Sequence, residues 1–181
     1  MEFGPNLETD IYTVNRGTAF ESTTPDNKAG LHWQAKYGYI ALDGFHLFPT
    51  SGLNEQGLSF DALYLPDLAQ YETYEPNQSE TSMPYYQLAD YVLGNFSTIA
   101  DIKHALPKLT IYAKALEHAG KQVVFPMHFI VTDAQGQGLV IELVDSTLHL
   151  YDDKLGLLTN SPSYPWQQAN LSNYINLSPY A

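Results

Sequence analysis

The chain reads as an α+β domain of packed layers. Short segments of alternating polar and apolar residues fill its beginning and its last third, and between them two consecutive segments place apolar residues at helical spacing. The ending supports the same class, because Leu155 to Tyr174 (LGLLTNSPSYPWQQANLSNY) runs as apolar segment, polar turn and helical pattern.

Asp10 to Val14 (DIYTV) and Tyr37 to Leu42 (YGYIAL) alternate and carry aromatic and branched residues, the pattern of half-buried strands. Thr23 to Gly30 between them holds Pro, Asp, Asn and Gly and reads as a loop. Leu53 to Leu58 (LNEQGL) is a turn signal, and Phe60 to Leu65 follows as the second strand of a hairpin that ends at Pro66. From Pro66 to Ser82 the chain is polar and proline-bearing, which predicts a long surface excursion of the kind that carries substrate or subunit contacts.

Met83 to Phe96 (MPYYQLADYVLGNF) has helical spacing, with Ser82 placed as N-cap, Pro84 near the first turn and Gly94 near the end. Ser97 to Leu106 repeats the theme, with Ser97 as cap, Asp101 in the first turns and Pro107 as the stop. After Pro126, His128 to Thr132 (HFIVT) and Leu139 to Val144 (LVIELV) are strong strands joined by the Gly-containing turn Asp133 to Gly138. Leu148 to Tyr151 and Leu155 to Leu158 continue this meander, and Trp166 to Tyr174 forms a terminal helix.

At 181 residues the chain fits a single domain able to bury a sizeable core. Eight Lys and Arg against 20 Asp and Glu give a net charge of −12, spread along the chain without a block. Such a field repels a phosphate backbone, so nucleic acid is excluded as a partner and anionic membrane is disfavoured. No apolar run approaches the roughly 18 residues of a membrane span, so membrane insertion is not expected. The absence of cysteine excludes disulfides, thiolate metal sites and a thiol nucleophile within these residues.

His32, His46, His104, His118, His128 and His149 show no metal-ligand spacing and read as surface or satisfied strand histidines. Asp43 and the Asp152-Asp153 pair read as acidic turn residues. The tyrosines at 71, 74, 85 and 86 line an acyl-binding cleft, form a subunit contact or belong to the core. Asn160 stands out because a strand, a tight polar turn and a helix place a small polar side chain at the open end of a sheet. By residue chemistry alone the more ordinary reading is a turn asparagine ahead of Ser161-Pro162.

Met1-Glu2-Phe3-Gly4, Asn54-Glu55-Gln56-Gly57-Leu58, HFIVTDAQGQGLVIE from His128 to Glu142, and Leu157 to Pro162 with Trp166, Gln167, Asn170, Leu171 and Tyr174 occur in order over nearly the whole chain. Together they resemble the choloylglycine hydrolases, a family that includes bile salt hydrolases and penicillin V acylases. The resemblance implies an N-terminal nucleophile (Ntn) hydrolase fold, an αββα four-layer sandwich of antiparallel sheets between helices. It also implies cleavage of a non-peptide carbon–nitrogen amide bond in a small acyl amide, without a cofactor, by a cysteine whose own α-amino group is the base.

Residue by residue, Asn160 matches the family's oxyanion-hole asparagine, a donor able to contribute about 3 kcal/mol to transition-state stabilisation. Tyr64 matches the position whose backbone N–H is the second donor and whose side chain lines the acyl pocket, and a tyrosine there leans toward the acylases. Glu2 matches an acidic residue, usually aspartate, that holds the nucleophile's amino group. Its extra methylene sets the carboxylate about 1.5 Å further out.

The family's first hairpin, with its cysteine and arginine, has no counterpart ahead of Met1, nor has its later arginine within Met1 to Ala181. The expectation is a single, incomplete domain over residues 1–181, truncated at both ends and inactive by itself, from a protein that forms a tetramer. A missing hairpin also predicts an exposed apolar sheet edge, with marginal stability or aggregation. Beside the amidase stand a non-catalytic acyl-ligand-binding homologue and an oligomerisation module working through Pro66 to Ser82.

Overall fold

The computed structural model describes residues 8–174. In chain order the elements are β1 (Ile11–Val14), β2 (Ala19–Thr23), β3 (Ala29–Gln34), β4 (Tyr39–Gly44), β5 (Phe48–Asn54) and β6 (Ser59–Tyr64). Then come β7 (Ser82–Pro84), α1 (Leu88–Asn95), α2 (Ile99–Ala105), β8 (Thr110–Tyr112), β9 (Leu116–His118) and β10 (Lys121–Val123). The chain continues with β11 (Met127–Thr132), β12 (Gly138–Val144), β13 (Thr147–Asp153) and α3 (Tyr164–Leu171). This is the α+β class expected.

Seven strands form one antiparallel sheet in the order β1-β4-β5-β6-β11-β12-β13. It consists of two meanders, β4–β6 and β11–β13, that meet where β6 pairs with β11, with β1 added at the β4 edge. Alternation decides which residues go where. Tyr39, Ala41, Phe60, Phe129, Val131, Leu139, Ile141 and Leu143 point to one face and form the main core with Leu88, Val92 and Leu93 of α1 and Ile99 and Ile102 of α2. The intervening residues point the other way. There Val140, Leu63, Ile130 and Tyr151 meet Leu158 and Tyr164, a second and smaller core under the terminal segment.

Two turns bind the helices to the sheet. Asn54, 3% exposed, donates from Nδ2 to the carbonyls of Leu93 and Phe96 at the end of α1, while its Oδ1 accepts the N–H groups of Gln56 and Leu58. Asp133 does the converse, taking the Ile99 N–H at the start of α2 on Oδ2 and the Gln135 and Gln137 N–H groups on Oδ1. A neutral donor faces a helix C-terminus and an anion faces a helix N-terminus, as the helix dipole requires. At Gly52 a Cβ would stand 2.5 Å from Leu93 Cδ1 of α1 and 2.8 Å from the Ile40 carbonyl oxygen of β4, so glycine lets α1 lie this close to β5.

Several expectations are corrected. Thr23 to Gly30 is not all loop, because β3 begins at Ala29 and pairs with β2, and β5 is a full strand ahead of the Asn54 turn. The helix expected from Met83 begins only at Leu88. Ser82–Pro84 instead form a parallel pair with Thr110–Tyr112, and Ser82 donates to the Gln78 carbonyl rather than capping. The second helix is capped by Thr98, whose side chain accepts the Asp101 N–H, and not by Ser97.

The stretch Pro66 to Ser82 is partly internal. Tyr71 is 8% exposed, and bridges join Ala69 to Val144 and Glu72 to Tyr112. Leu155 to Leu158 is not a strand, since the Asp153 carboxylate takes the N–H groups of Leu155, Gly156 and Leu157 that a ladder would need.

Candidate functional site

The candidate site is the irregular segment between β13 and α3, and what holds it is polar. Asp153, at the end of β13, accepts the Leu155, Gly156 and Leu157 N–H groups and the Tyr164 hydroxyl, the last at 2.8 Å. Burial, reinforced by that carboxylate, pushes the Tyr164 phenol up to about 12. Far from a plain acidic turn residue, Asp153 is the post around which the segment bends; its neighbour Asp152 pairs with Lys103 at 2.8 Å.

From the other side Gln167 on α3 clasps the turn. Its Nε2 donates to the carbonyls of Thr159, Asn160 and Pro162, at 2.6 Å to the last, and its Oε1 accepts the Thr159 N–H. The Ser161–Pro162 peptide within this clasp is cis.

Beneath the turn, the sheet sends up two side chains from neighbouring strands. His128 and Glu142 are 0% and 1% exposed, and His128 Nδ1 lies 3.0 Å from Glu142 Oε1. His128 Nε2 reaches the Thr159 carbonyl at 2.9 Å, and Glu142 Oε1 accepts the Tyr164 N–H at 2.7 Å. His128 is thus a satisfied strand histidine, one of the two readings given to it. Glu142 was not singled out, although a charge inside the apolar run LVIELV was the available signal, since a buried carboxylate requires partners.

Held in this way, Asn160 meets Tyr64. The Tyr64 N–H donates to Asn160 Oδ1 at 2.9 Å, the Ser161 N–H donates to the Tyr64 carbonyl at 3.0 Å, and the Ser161 hydroxyl donates to the Pro66 carbonyl. The bond to Tyr64 uses the acceptor end of the Asn160 amide, and the donor end is its Nδ2. Tyr64 is the last residue of β6, and the strand continues into Leu65, whose N–H donates to the Pro126 carbonyl. Its ring packs against the main core. A groove of about 490 Å³ runs along the other face of β6 beside the turn, lined by Leu63, Ile130, Leu157 and Leu158 with Asp61 and Thr132.

Of the three site residues expected, two are therefore in direct contact. Glu2 lies outside the described residues. The tyrosine cluster divides: Tyr71 and Tyr85 stack at 4.4 Å inside the core, and their phenols accept the Met127 and Phe125 N–H groups leading into β11. Tyr74 instead donates to Asp26 on the β2–β3 hairpin.

Strand pairing also assembles a group that spacing did not reveal. Asp10, Asp43 and His46 place ligand atoms within 4.8 Å of one another at the β1–β4 end of the sheet, with His46 Nδ1 3.1 Å from Asp10 Oδ2. They are mostly exposed and read as an ordinary surface cluster of acidic and histidine side chains.

The model of the family described as linear amide C–N hydrolases, choloylglycine hydrolase family, matches residues 1–181. The bile salt hydrolase/transferase of Clostridium perfringens is 30% identical over 183 residues, covering 97% of this chain and 54% of that protein. The penicillin V acylase of Pectobacterium atrosepticum is 28% identical over 182 residues, covering 96% of this chain and 47% of that protein. Among solved structures, a variant of the conjugated bile acid hydrolase from Clostridium perfringens superposes with a TM-score of 0.78 at 27% identity, over 98% of this chain and 52% of that one. The chain spans about half the length of these relatives.

Proposed function

The chain belongs to the choloylglycine hydrolase family of linear amide C–N hydrolases, and from that premise we propose that it carries the oxyanion side of an N-terminal nucleophile amidase. The substrate class is an acyl amide such as a conjugated bile salt, penicillin V or an N-acyl homoserine lactone. The observation that supports this most directly is the contact between Asn160 and Tyr64, the two residues the resemblance assigns to the oxyanion hole.

In this reading a cysteine thiolate attacks the carbonyl carbon and the C–N bond breaks as the amine leaves with a proton returned by the α-amino group. Water then attacks the acyl-enzyme, releasing the carboxylic acid and restoring the thiol. Asn160 Nδ2 donates to the oxygen that becomes negative in each tetrahedral intermediate. The Tyr64 N–H, bound to Asn160 Oδ1 here, exchanges that acceptor for the oxyanion.

The mechanism needs a thiol that these 181 residues do not contain, so by themselves they are proposed to be inactive. The same absence is compatible with an alternative, an acyl-ligand-binding homologue that retains the pocket without the chemistry.

Reading the coding sequence upstream of Met1 over roughly twenty to thirty codons, long enough for a strand pair, separates the two. An in-frame Met-Cys opening a strand-like segment, followed by hydrolysis of an acyl amide by the extended protein, is the expected result. A stop codon or a cysteine-free stretch overturns the amidase reading in favour of the binding homologue.

A further inference from the structure

Nothing in the proposed chemistry uses His128 or Glu142, yet both are buried completely under the turn that presents Asn160. We propose that this pair is the positioning device of the site: it fixes the backbone on both sides of Asn160 and thereby the direction of its side-chain amide. The chemical consequence rests on the amidase reading; the structural consequence does not.

Register places the pair. Phe129 faces Ile141 across β11 and β12, so His128 and Glu142 are the next cross-strand neighbours, on the face opposite the main core. Both are flanked on that face by apolar residues, Ile130 and Val140, which pack against the terminal segment without polar help. A buried polar pair is a poor source of stability compared with apolar residues of similar size. What it supplies is direction.

The directions are set by simple hydrogen-bond logic. A carbonyl only accepts, so His128 Nε2 carries its hydrogen and donates to the Thr159 carbonyl, the residue before Asn160. Nδ1 and Glu142 Oε1, 3.0 Å apart, share one proton. The same Oε1 takes the Tyr164 N–H, at the first position of α3. The pair therefore grips one carbonyl ahead of Asn160, in irregular backbone and shared with Gln167, and one N–H behind it at the start of α3, where the first N–H groups have no partner within the helix. Asp153 and Gln167 hold the flanks, while His128 ties the turn to β11, the strand adjoining Tyr64, and Glu142 ties it to β12 beside that strand.

The test compares His128→Gln, which keeps a donor near the Nε2 position, with His128→Asn, which is too short to reach Thr159. The reporter is amide hydrogen exchange at Tyr64, whose N–H is bound to Asn160, read against Phe60 and Val131 in the β6–β11 ladder. Tyr64 exchange is expected to accelerate at least about tenfold in His128→Asn, with the ladder amides unchanged and His128→Gln close to the parent chain.

Equal Tyr64 protection in both variants, or loss of protection spread evenly through the ladder, overturns the proposal. So does a His128→Gln chain that fails to fold, because it keeps the donor that positioning requires. In a thiol-bearing form that hydrolyses an acyl amide, kcat falls at least about tenfold in His128→Asn at unchanged KM and recovers in His128→Gln. If that form hydrolyses nothing, the amidase reading fails while the exchange result still decides the positioning role.

Discussion

The Tyr64 N–H donates to Asn160 Oδ1 at 2.9 Å across a separation of 96 residues. One partner ends a central strand and the other sits in an irregular turn, so the bond joins the two meanders' sheet to the segment that closes over its second face. It engages the acceptor end of the Asn160 amide and thereby orients the whole group.

Asn160→Asp separates these two roles. The variant keeps an oxygen for the Tyr64 N–H and loses the Nδ2 donor. Exchange protection of Tyr64 is expected to persist, whereas kcat in a thiol-bearing form falls by about 10²–10³, the usual loss for one oxyanion donor. A kcat within a few-fold of the parent would remove Asn160 from the chemistry.

Asn54→Asp tests the pairing of turn chemistry with helix polarity. The substitution removes the donors to the Leu93 and Phe96 carbonyls and sets a buried carboxylate against them. A loss of about 3–5 kcal/mol in urea unfolding is expected, as for a buried charge without a partner. Asp133→Asn leaves no such charge and is expected to cost about 1–2 kcal/mol, the value of a charge-assisted bond at a helix start.

The half-buried Asp90 gives the fold a pH dependence. Burial pushes its carboxyl up to about 6, against the lowering effect of the Tyr39 hydroxyl that donates to it. The folded state thus holds the proton more tightly than the unfolded chain. The resulting stabilisation is complete below about pH 4, the unfolded value, and is lost as pH rises through about 6. Asp90→Asn keeps an acceptor for Tyr39, and is expected to flatten this window and to stabilise the chain at neutral pH by on the order of 1–2 kcal/mol in thermal or urea melts.

Exposed apolar side chains gather at the β1 end of the sheet, where the cross-strand pairs Ile11–Leu42 and Ile40–Leu53 stand 67%, 36%, 43% and 49% exposed on the edge strand β1 and on β4 and β5. Patches of this kind drive association. Replacing Ile40 and Leu53 with threonine, which keeps β propensity, is expected to shift sedimentation toward monomer without lowering the melting temperature by more than a few degrees.

Local chemistry alone determined much of this protein. The β11–β12 hairpin was legible because apolar alternation and the Asp133 to Gly138 turn are both short-range signals, and so were β1, β4, β6 and the turn bearing Asn160. The ordered motifs were enough to place the chain in its family.

Tertiary structure decided what depends on distant partners. Ser82–Pro84 left the expected helix because Thr110–Tyr112 offered a ladder, and Leu155 to Leu158 lost theirs to the Asp153 carboxylate. Asn160 met Tyr64 only through the fold, across 96 residues, and His128 and Glu142 became a pair through strand register. Backbone propensity acts over a few neighbours, whereas a buried polar group is satisfied by whatever the fold brings to it, and no window of sequence contains that partner.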